Sequence, residues 1–174
     1  LFTIWNNPQF YTEKGQTTFG QLFPGASKND FPQPKSVDYV MEAIRTIVRE
    51  SDIVLDSFAG SGTTGQAVLN LNTDVKHRKF ILIEMMDYAD SITAERVKRV
   101  IQGYGEGKNA VEGTGGNFSF YDLGEPLLIG DCLNEAVAPE KIREYIWFME
   151  TKTPYAPPAG DNPYYLGQHN DTDY

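Results

Sequence analysis

Three glycines spaced as Gly60-x-Gly62-x-x-Gly65 stand between two carboxylates, Asp56 and Glu84. Each carboxylate ends a short apolar run, Ile53-Val54-Leu55 for the first and Phe80-Ile81-Leu82-Ile83 for the second. Glycines at this spacing after a strand allow a tight turn and a close approach of backbone to ligand. The helix start behind such a turn leaves N–H groups unpaired and ready for an anionic group. An acidic residue about twenty positions on is placed to bind ribose hydroxyls. Together these residues could hold a nucleoside-containing cofactor at the ends of two successive strands.

Charge separates the candidate ligands. Gly60 and Gly65 also match the glycines of a nucleotide phosphate loop, but Gln66-Ala67 follow where that loop needs Lys and then Ser or Thr. A dinucleotide would set its pyrophosphate against Asp56, and the loop carries no Lys or Arg to offset the repulsion. S-adenosylmethionine fits better, because its amino group and sulfonium are positive. Its carboxylate can accept bonds from Thr63, Thr64 and the free N–H groups of the helix start. Glu84 would bind ribose hydroxyls in either case and discriminates nothing. A dinucleotide site, and a strand-to-helix turn that binds nothing, stay open as alternatives.

The elements that position these residues follow from periodicity. Phe31-Pro32-Gln33-Pro34-Lys35-Ser36 reads as extended, because each Pro drives its predecessor out of the helical region. Val37, Val40, Met41, Ile44, Ile47 and Val48 then recur at helical spacing, with Ser36 as N-cap. The apolar runs ending at Asp56 and Glu84 read as buried parallel strands. Ala67, Val68 and Leu71 mark one helix; Ala94, Val97, Val100 and Ile101 mark another, capped by Ser91 or Thr93. The alternation predicts a parallel α/β sheet. Residues 1–30 read as a loop-rich lead-in and residues 103–117, with six glycines, as a flexible loop. Phe118, Phe120 and Leu123 suggest a third strand. Pro139 suits the first turn of a helix whose apolar face is Ile142, Tyr145, Ile146 and Met149. A Pro-rich connector and a C-terminal hairpin follow.

Composition bounds the function. The chain has 174 residues, a formal net charge of −9, one cysteine (Cys132) and two well-separated histidines, His77 and His169. An internal disulfide and a cysteine metal cluster are excluded. The acidic balance argues against a free-standing nucleic-acid binder. No apolar run approaches the length of a membrane span and no signal peptide is visible, so a cytoplasmic location is the default expectation.

Asp56-Ser57-Phe58-Ala59-Gly60-Ser61-Gly62-Thr63-Thr64 resembles the cofactor motif of amino-group DNA methyltransferases. The Phe31–Ser36 segment with its following helix resembles what precedes that motif in the β-type order, and Lys79–Glu84 resembles the second cofactor strand. The chain resembles the C-terminal portion of the modification subunit of type III restriction–modification systems, which are adenine-N6 methyltransferases. Softer matches at Trp5-Asn6-Asn7, Phe118–Gly124 and Ile146–Thr151 extend the likeness along nearly the whole chain. The resemblance implies a Rossmann-like S-adenosylmethionine-dependent methyltransferase fold, incomplete here: the cofactor half of a mostly parallel three-layer sheet. It implies that Phe58, Gly60 and Gly62 line the cofactor, with Ala59 and Ser61 in the same turn. Thr63 and Thr64 would bind its carboxylate, Asp56 would lie near its amino group, Glu84 would hold the ribose and Met85 would pack on adenine. Lys35 and Ser36 would close the methionine end.

In that family the catalytic tetrapeptide, Asp or Asn followed by Pro-Pro-Tyr, precedes the Phe-Pro-x-Pro-Lys segment. Its side chain and Pro carbonyl hold the target amino group while the ring stacks on a flipped base. Asn7-Pro8-Gln9-Phe10 and Asp161-Asn162-Pro163-Tyr164-Tyr165 each lack the second proline and follow no apolar strand. Both read as Asn-Pro turns, so Asn7, Phe10, Asn162 and Tyr165 are decoys. The tetrapeptide and the start of the natural chain are expected upstream of Leu1. The expected layout is a lead-in over 1–30, a cofactor domain over 31–150 and a connector with C-terminal extension over 151–174. The resemblance implies DNA as substrate through the missing half, with a second copy of the chain and a restriction subunit as candidate partners and no membrane. Alone, this portion is expected to be inactive. A dinucleotide-binding oxidoreductase domain and a non-catalytic assembly module are the alternatives.

Overall fold

The computed structural model describes residues 5–27, 29–72, 77–160, 162 and 164–174. They form two compact units, Leu1–Phe120 and Tyr121–Tyr174. The division falls inside the 31–150 stretch that the sequence pattern suggests is one domain. No helix among the described residues is long and apolar enough to cross a membrane.

The first unit is α/β with a short parallel sheet. Strand β1 (Ile53–Asp56) pairs in parallel with β2 (Lys79–Leu82), Asp56 opposite Leu82. The ladder continues as the Ile83 N–H donates to the Asp56 carbonyl at 2.9 Å. Helix α2 (Val37–Ile47) starts at Ser36, whose Oγ accepts from the Tyr39 N–H at 3.3 Å. Helix α3 (Thr63–Leu71) links the strands, and α4 (Glu95–Gln102) follows a π-helical turn over Ala89–Ala94. That turn absorbs Ser91 and Thr93, so neither caps α4; the Thr93 hydroxyl donates instead to the Gly60 carbonyl at 2.6 Å.

Two apolar clusters hold the unit together. Val37 and Ile44 of α2 meet Ala67, Val68 and Leu71 of α3, with Val54 and Phe80 from the strands. Leu69 of α3 meets Val97 and Val100 of α4, with Phe80, Leu82 and Phe118. These clusters hold α2, α3 and α4 against one face of the sheet. Ile53, Leu55, Ile81 and Ile83, which alternate with these residues, are 50–62% exposed. The strands were expected to be buried on both faces; the first unit's described residues cover only one.

Residues 1–30 are not merely a lead-in. Helix α1 (Thr12–Leu22) buries Phe19 and Leu22. Leu22 joins the second cluster, and the Gln16 amide donates to the carbonyls of Phe31 and Pro32 at 3.2 and 2.6 Å. Arg99 of α4 bonds the Leu22 carbonyl and lies 4.8 Å over the Phe23 ring. Two apolar anchors among Thr, Gly and Gln show no helical period, and these tertiary contacts supply the stability that propensity lacks. The glycine-rich 103–117 stretch is likewise ordered: β3 (Gly103–Tyr104) pairs with β4 (Val111–Glu112).

The third strand expected at Phe118–Leu123, across the boundary of the two units, does not form: none of these residues pairs with a strand, and Leu123 is 98% exposed. Alternation marks faces but cannot supply an edge to pair with. A short hairpin, β5 (Leu128–Ile129) with β6 (Cys132–Leu133), stands instead. Helix α5 (Pro139–Thr151) begins at Pro139 as expected. It buries Trp147 rather than the expected face, since Tyr145, Ile146 and Met149 stay exposed. Trp147 lies within 6.2 Å, centroid to centroid, of Tyr155, His169 and Tyr174. The closing hairpin pairs β7 (Gln168–His169) with β8 (Thr172–Asp173).

Candidate cofactor site

Asp56 ends β1 opposite Leu82, the last residue of β2, and Glu84 follows two residues beyond it, with the glycine turn reaching across to Glu84. The turn is fixed from three directions. The Ala59 N–H donates to the Ile83 carbonyl at 3.0 Å, and the Gly60 N–H donates to Glu84 Oε2 at 2.7 Å. Behind, Thr93 holds the Gly60 carbonyl. Gly62 caps α3 at φ 78°, and a Cβ there would lie 2.9 Å from the Thr93 carbonyl oxygen. A side chain at this position would be both strained and crowded. Gly65 serves packing: its Cβ would meet Leu82 and Val97 at 3.0 and 3.1 Å.

The carboxylates are preorganised by neutral donors. Asp56 accepts from the Thr64 hydroxyl at 2.6 Å and the Phe58 N–H at 3.2 Å. Glu84 accepts from Gly60, Met85 and Met86 N–H groups at 2.7, 2.9 and 3.0 Å. Phe58 and Met85 flank them and are 84% and 85% exposed. Burial first, and the Glu84 charge second, raise the Tyr88 phenol above its ordinary range. Tyr88 packs edge-on to Phe31 at 5.5 Å, and the Phe31 ring tip would lie 3.2 Å from a Cβ at Gly60.

The threonines divide. Thr64 turns to Asp56, whereas the hydroxyls of Ser61 and Thr63 turn inward and are buried. What Thr63 offers outward is its helix-start N–H. Lys35 is exposed at the start of α2. Ser36 is buried, and its hydroxyl is engaged by the cap and by a 2.5 Å bond to the Gln9 carbonyl.

Sequence reasoning missed Arg96. It is fully buried beneath the turn, with Nη1 2.8 Å from both Ser61 Oγ and Thr63 Oγ1 and Nε 2.9 Å from Gln66 Oε1. Burial pulls its pKa down to about 10, so it remains charged at neutral pH. The signal was present: Thr93, Arg96, Val97 and Val100 fall on one helical stripe, so Arg96 had to face the core. Its position changes the charge balance at the site, because the turn that carries no basic residue has a cation directly behind it.

Both near-matches to the tetrapeptide are local turns. Asn7 Oδ1 accepts from the Gln9 N–H at 3.0 Å, and Phe10 packs 5.9 Å from Tyr39, centroid to centroid. Asn162 Oδ1 accepts from the Tyr164 N–H at 3.0 Å, and the Tyr165 hydroxyl donates to Asp173 at 3.2 Å. Each Asn oxygen is spent on its own backbone two residues on. Asp161 and Pro163, which flank Asn162, lie outside the described residues.

A family model described as DNA methylase, covering the N6 and N4 enzymes, matches residues 1–95. Type II methyltransferase M.KpnI of Klebsiella pneumoniae is 39% identical over 83 residues, 47% of this chain and 19% of the relative. The probable type III restriction-modification enzyme HindVI Mod subunit of Haemophilus influenzae is 34% identical over 122 residues, 66% of this chain and 16% of the relative. The EcoPI Mod subunit of Escherichia phage P1 is 37% identical over 83 residues, 47% of this chain and 12% of the relative. The chain thus spans less than a fifth of the length of these relatives.

Proposed function

The chain belongs to the DNA methylase family whose model matches residues 1–95, and from that membership we propose that it is the S-adenosylmethionine-binding portion of an adenine-N6 DNA methyltransferase in a restriction–modification system. The observation that carries the reading is Asp56 at the end of β1 and Glu84 just past the end of the parallel strand β2, with the glycine turn between them bonded to Glu84 itself. The residues present fit the cofactor. A carboxylate has about four acceptor sites, and Glu84 uses three of them on backbone N–H groups, leaving one for a ribose hydroxyl. Asp56, oriented by Thr64, faces the amino group. The carboxylate docks on the first N–H groups of α3, favoured by the helix dipole. Phe58 and Met85 supply apolar surface for the adenine and the methionine chain, and Lys35 closes that end beside the Ser36 cap. Bound S-adenosylmethionine supplies an electrophilic methyl group on its sulfonium; these residues hold and orient it.

Recognition and methylation of DNA, and any contact with a restriction subunit or a second copy, belong to the whole protein. The two Asn-Pro turns have no second proline, and one sheet face is bare. Both support the reading that this chain alone binds the cofactor only weakly and leaves DNA unmethylated. One observation favours the dinucleotide reading: Arg96 could offset a pyrophosphate at the turn. Asp56 still stands on the ligand side of that turn, which keeps the balance with S-adenosylmethionine. Calorimetry with S-adenosylmethionine and NAD distinguishes them. Tight NAD binding without response to S-adenosylmethionine would overturn the proposal, and robust methylation of DNA by the chain alone would overturn its inactivity.

A further inference from the structure

Beneath the glycine turn lies a charge that no neighbouring group neutralises. The hydrogen-bond partners of Arg96 are the hydroxyls of Ser61 and Thr63, the Ser61 carbonyl and the Gln66 amide, all neutral. Among the described residues no carboxylate pairs with it, and its Nη2, fully buried, has no hydrogen-bond partner. A buried cation without a counter-charge is unfavourable in a fold, so its placement calls for an anion nearby. Nη1 spans the two hydroxyls on either side of Gly62, and Thr63 is the first residue of α3. The guanidinium therefore sits behind the start of α3, where its charge adds to the positive end of the helix dipole.

Resting on the S-adenosylmethionine reading above, we propose that Arg96 is a positioning residue for the cofactor's carboxylate. It pins Ser61 and Thr63 so that the turn keeps its shape, and its charge reinforces the α3 N-terminus in drawing the carboxylate of the methionine moiety. Gln66 completes the arrangement: it accepts from Arg96 Nε and donates to the Tyr104 hydroxyl at 3.0 Å, holding the guanidinium in register with the turn.

The test is nuclear magnetic resonance on the full chain, comparing wild type with Arg96→Met, Arg96→Lys and Thr63→Val. Without ligand, amide exchange at Ser61–Thr64 should quicken about tenfold in Arg96→Met while α2 is unchanged. With ligand, two probes are titrated: S-adenosylhomocysteine, which carries the carboxylate, and 5′-methylthioadenosine, which lacks the amino-acid part. Arg96→Met should weaken the first about tenfold more than the second, and Arg96→Lys should recover most of that difference. Unchanged exchange in folded Arg96→Met, or equal weakening of both probes, would overturn the proposal and leave the cofactor reading intact. A wild-type chain that responds to NAD and to neither probe would sink the cofactor reading and this proposal with it. Should Arg96→Met fail to fold, Thr63→Val removes one anchor with little change in volume and carries the same comparison.

Discussion

Replacing Gly15 with alanine should destabilise the protein, against what helix propensity alone assigns. In an exposed helix interior Gly→Ala gains about 1 kcal/mol. Here the new Cβ would overlap the Pro34 carbonyl oxygen and sit 2.8 Å from the Lys35 carbonyl carbon. Both are backbone atoms that cannot swing aside, so α1 must lift from the Pro34–Lys35 segment. Lifting exposes Phe19 and Leu22, now 3% and 1% exposed, and burying each such side chain stabilises by about 1.5–3 kcal/mol. It also breaks the two Gln16 bonds to Phe31 and Pro32, about 1 kcal/mol each net. Full undocking sets a ceiling of about 5–8 kcal/mol. A partial shift that loses about half of this leaves a net loss of about 1.5–3 kcal/mol after the propensity gain. Gly20 is the internal control: it lies in the same helix with nothing within 4 Å of its would-be Cβ, so Gly20→Ala should gain up to about 1 kcal/mol. Urea unfolding followed by circular dichroism gives both numbers at matched slope. If Gly15→Ala stabilises as Gly20→Ala does, α1 is not docked on Pro34 and the packing argument fails.

Gly62→Ala should cost about 2–4 kcal/mol, from left-handed strain plus the clash with Thr93, and thermal unfolding measures it; a change under about 0.5 kcal/mol contradicts the geometry of the turn. Glu84→Gln should cost about 1–3 kcal/mol by replacing charge-assisted bonds to three N–H groups, read by the same melt, and should abolish any response to S-adenosylmethionine. The Arg99 hydrogen bond, with smaller help from Arg99 and Lys98 charges, outweighs burial and holds the Glu95 carboxyl below its ordinary range. A depressed folded-state pKa adds stability above the unfolded value and loses it as pH falls through the folded one. Glu95→Gln should therefore be less stable than wild type by at most about 0.5 kcal/mol near pH 6, with the gap closing in strong acid; a gap that widens in acid refutes the assignment.

The elements around the glycine turn, and α5 in the second unit, were legible because each carries its own local signal. Ser36 before an amphipathic run marks α2, two short apolar runs ending in carboxylates mark β1 and β2, and Pro139 marks α5. Asp56 was legible for the same reason, as the end of β1, while Glu84 falls two residues past the end of β2. What was hidden depends on partners distant in sequence. Gly15 looks like a helix breaker until Pro34 arrives against it. The glycines of 103–117 look like free loop, yet Gly103, at φ 99°, turns the chain from α4 into β3, and Gly105, at φ 76°, begins the connection to β4. Arg96 counts as a polar interruption of an apolar stripe until Ser61 and Thr63 fold over it. Phe118, Phe120 and Leu123 show the opposite failure, an alternating pattern without a neighbouring edge to complete a strand.

Whether the turn between Asp56 and Glu84 is an S-adenosylmethionine site is decided by residue-resolved amide shifts of the 174-residue chain. The chain is titrated with S-adenosylmethionine and, separately, with NAD, and the method detects millimolar binding. An S-adenosylmethionine site there requires shifts confined to Phe58–Gly65 and Glu84–Met86 with S-adenosylmethionine and none in those residues with NAD. The same residues moving with NAD while S-adenosylmethionine leaves them still would contradict it.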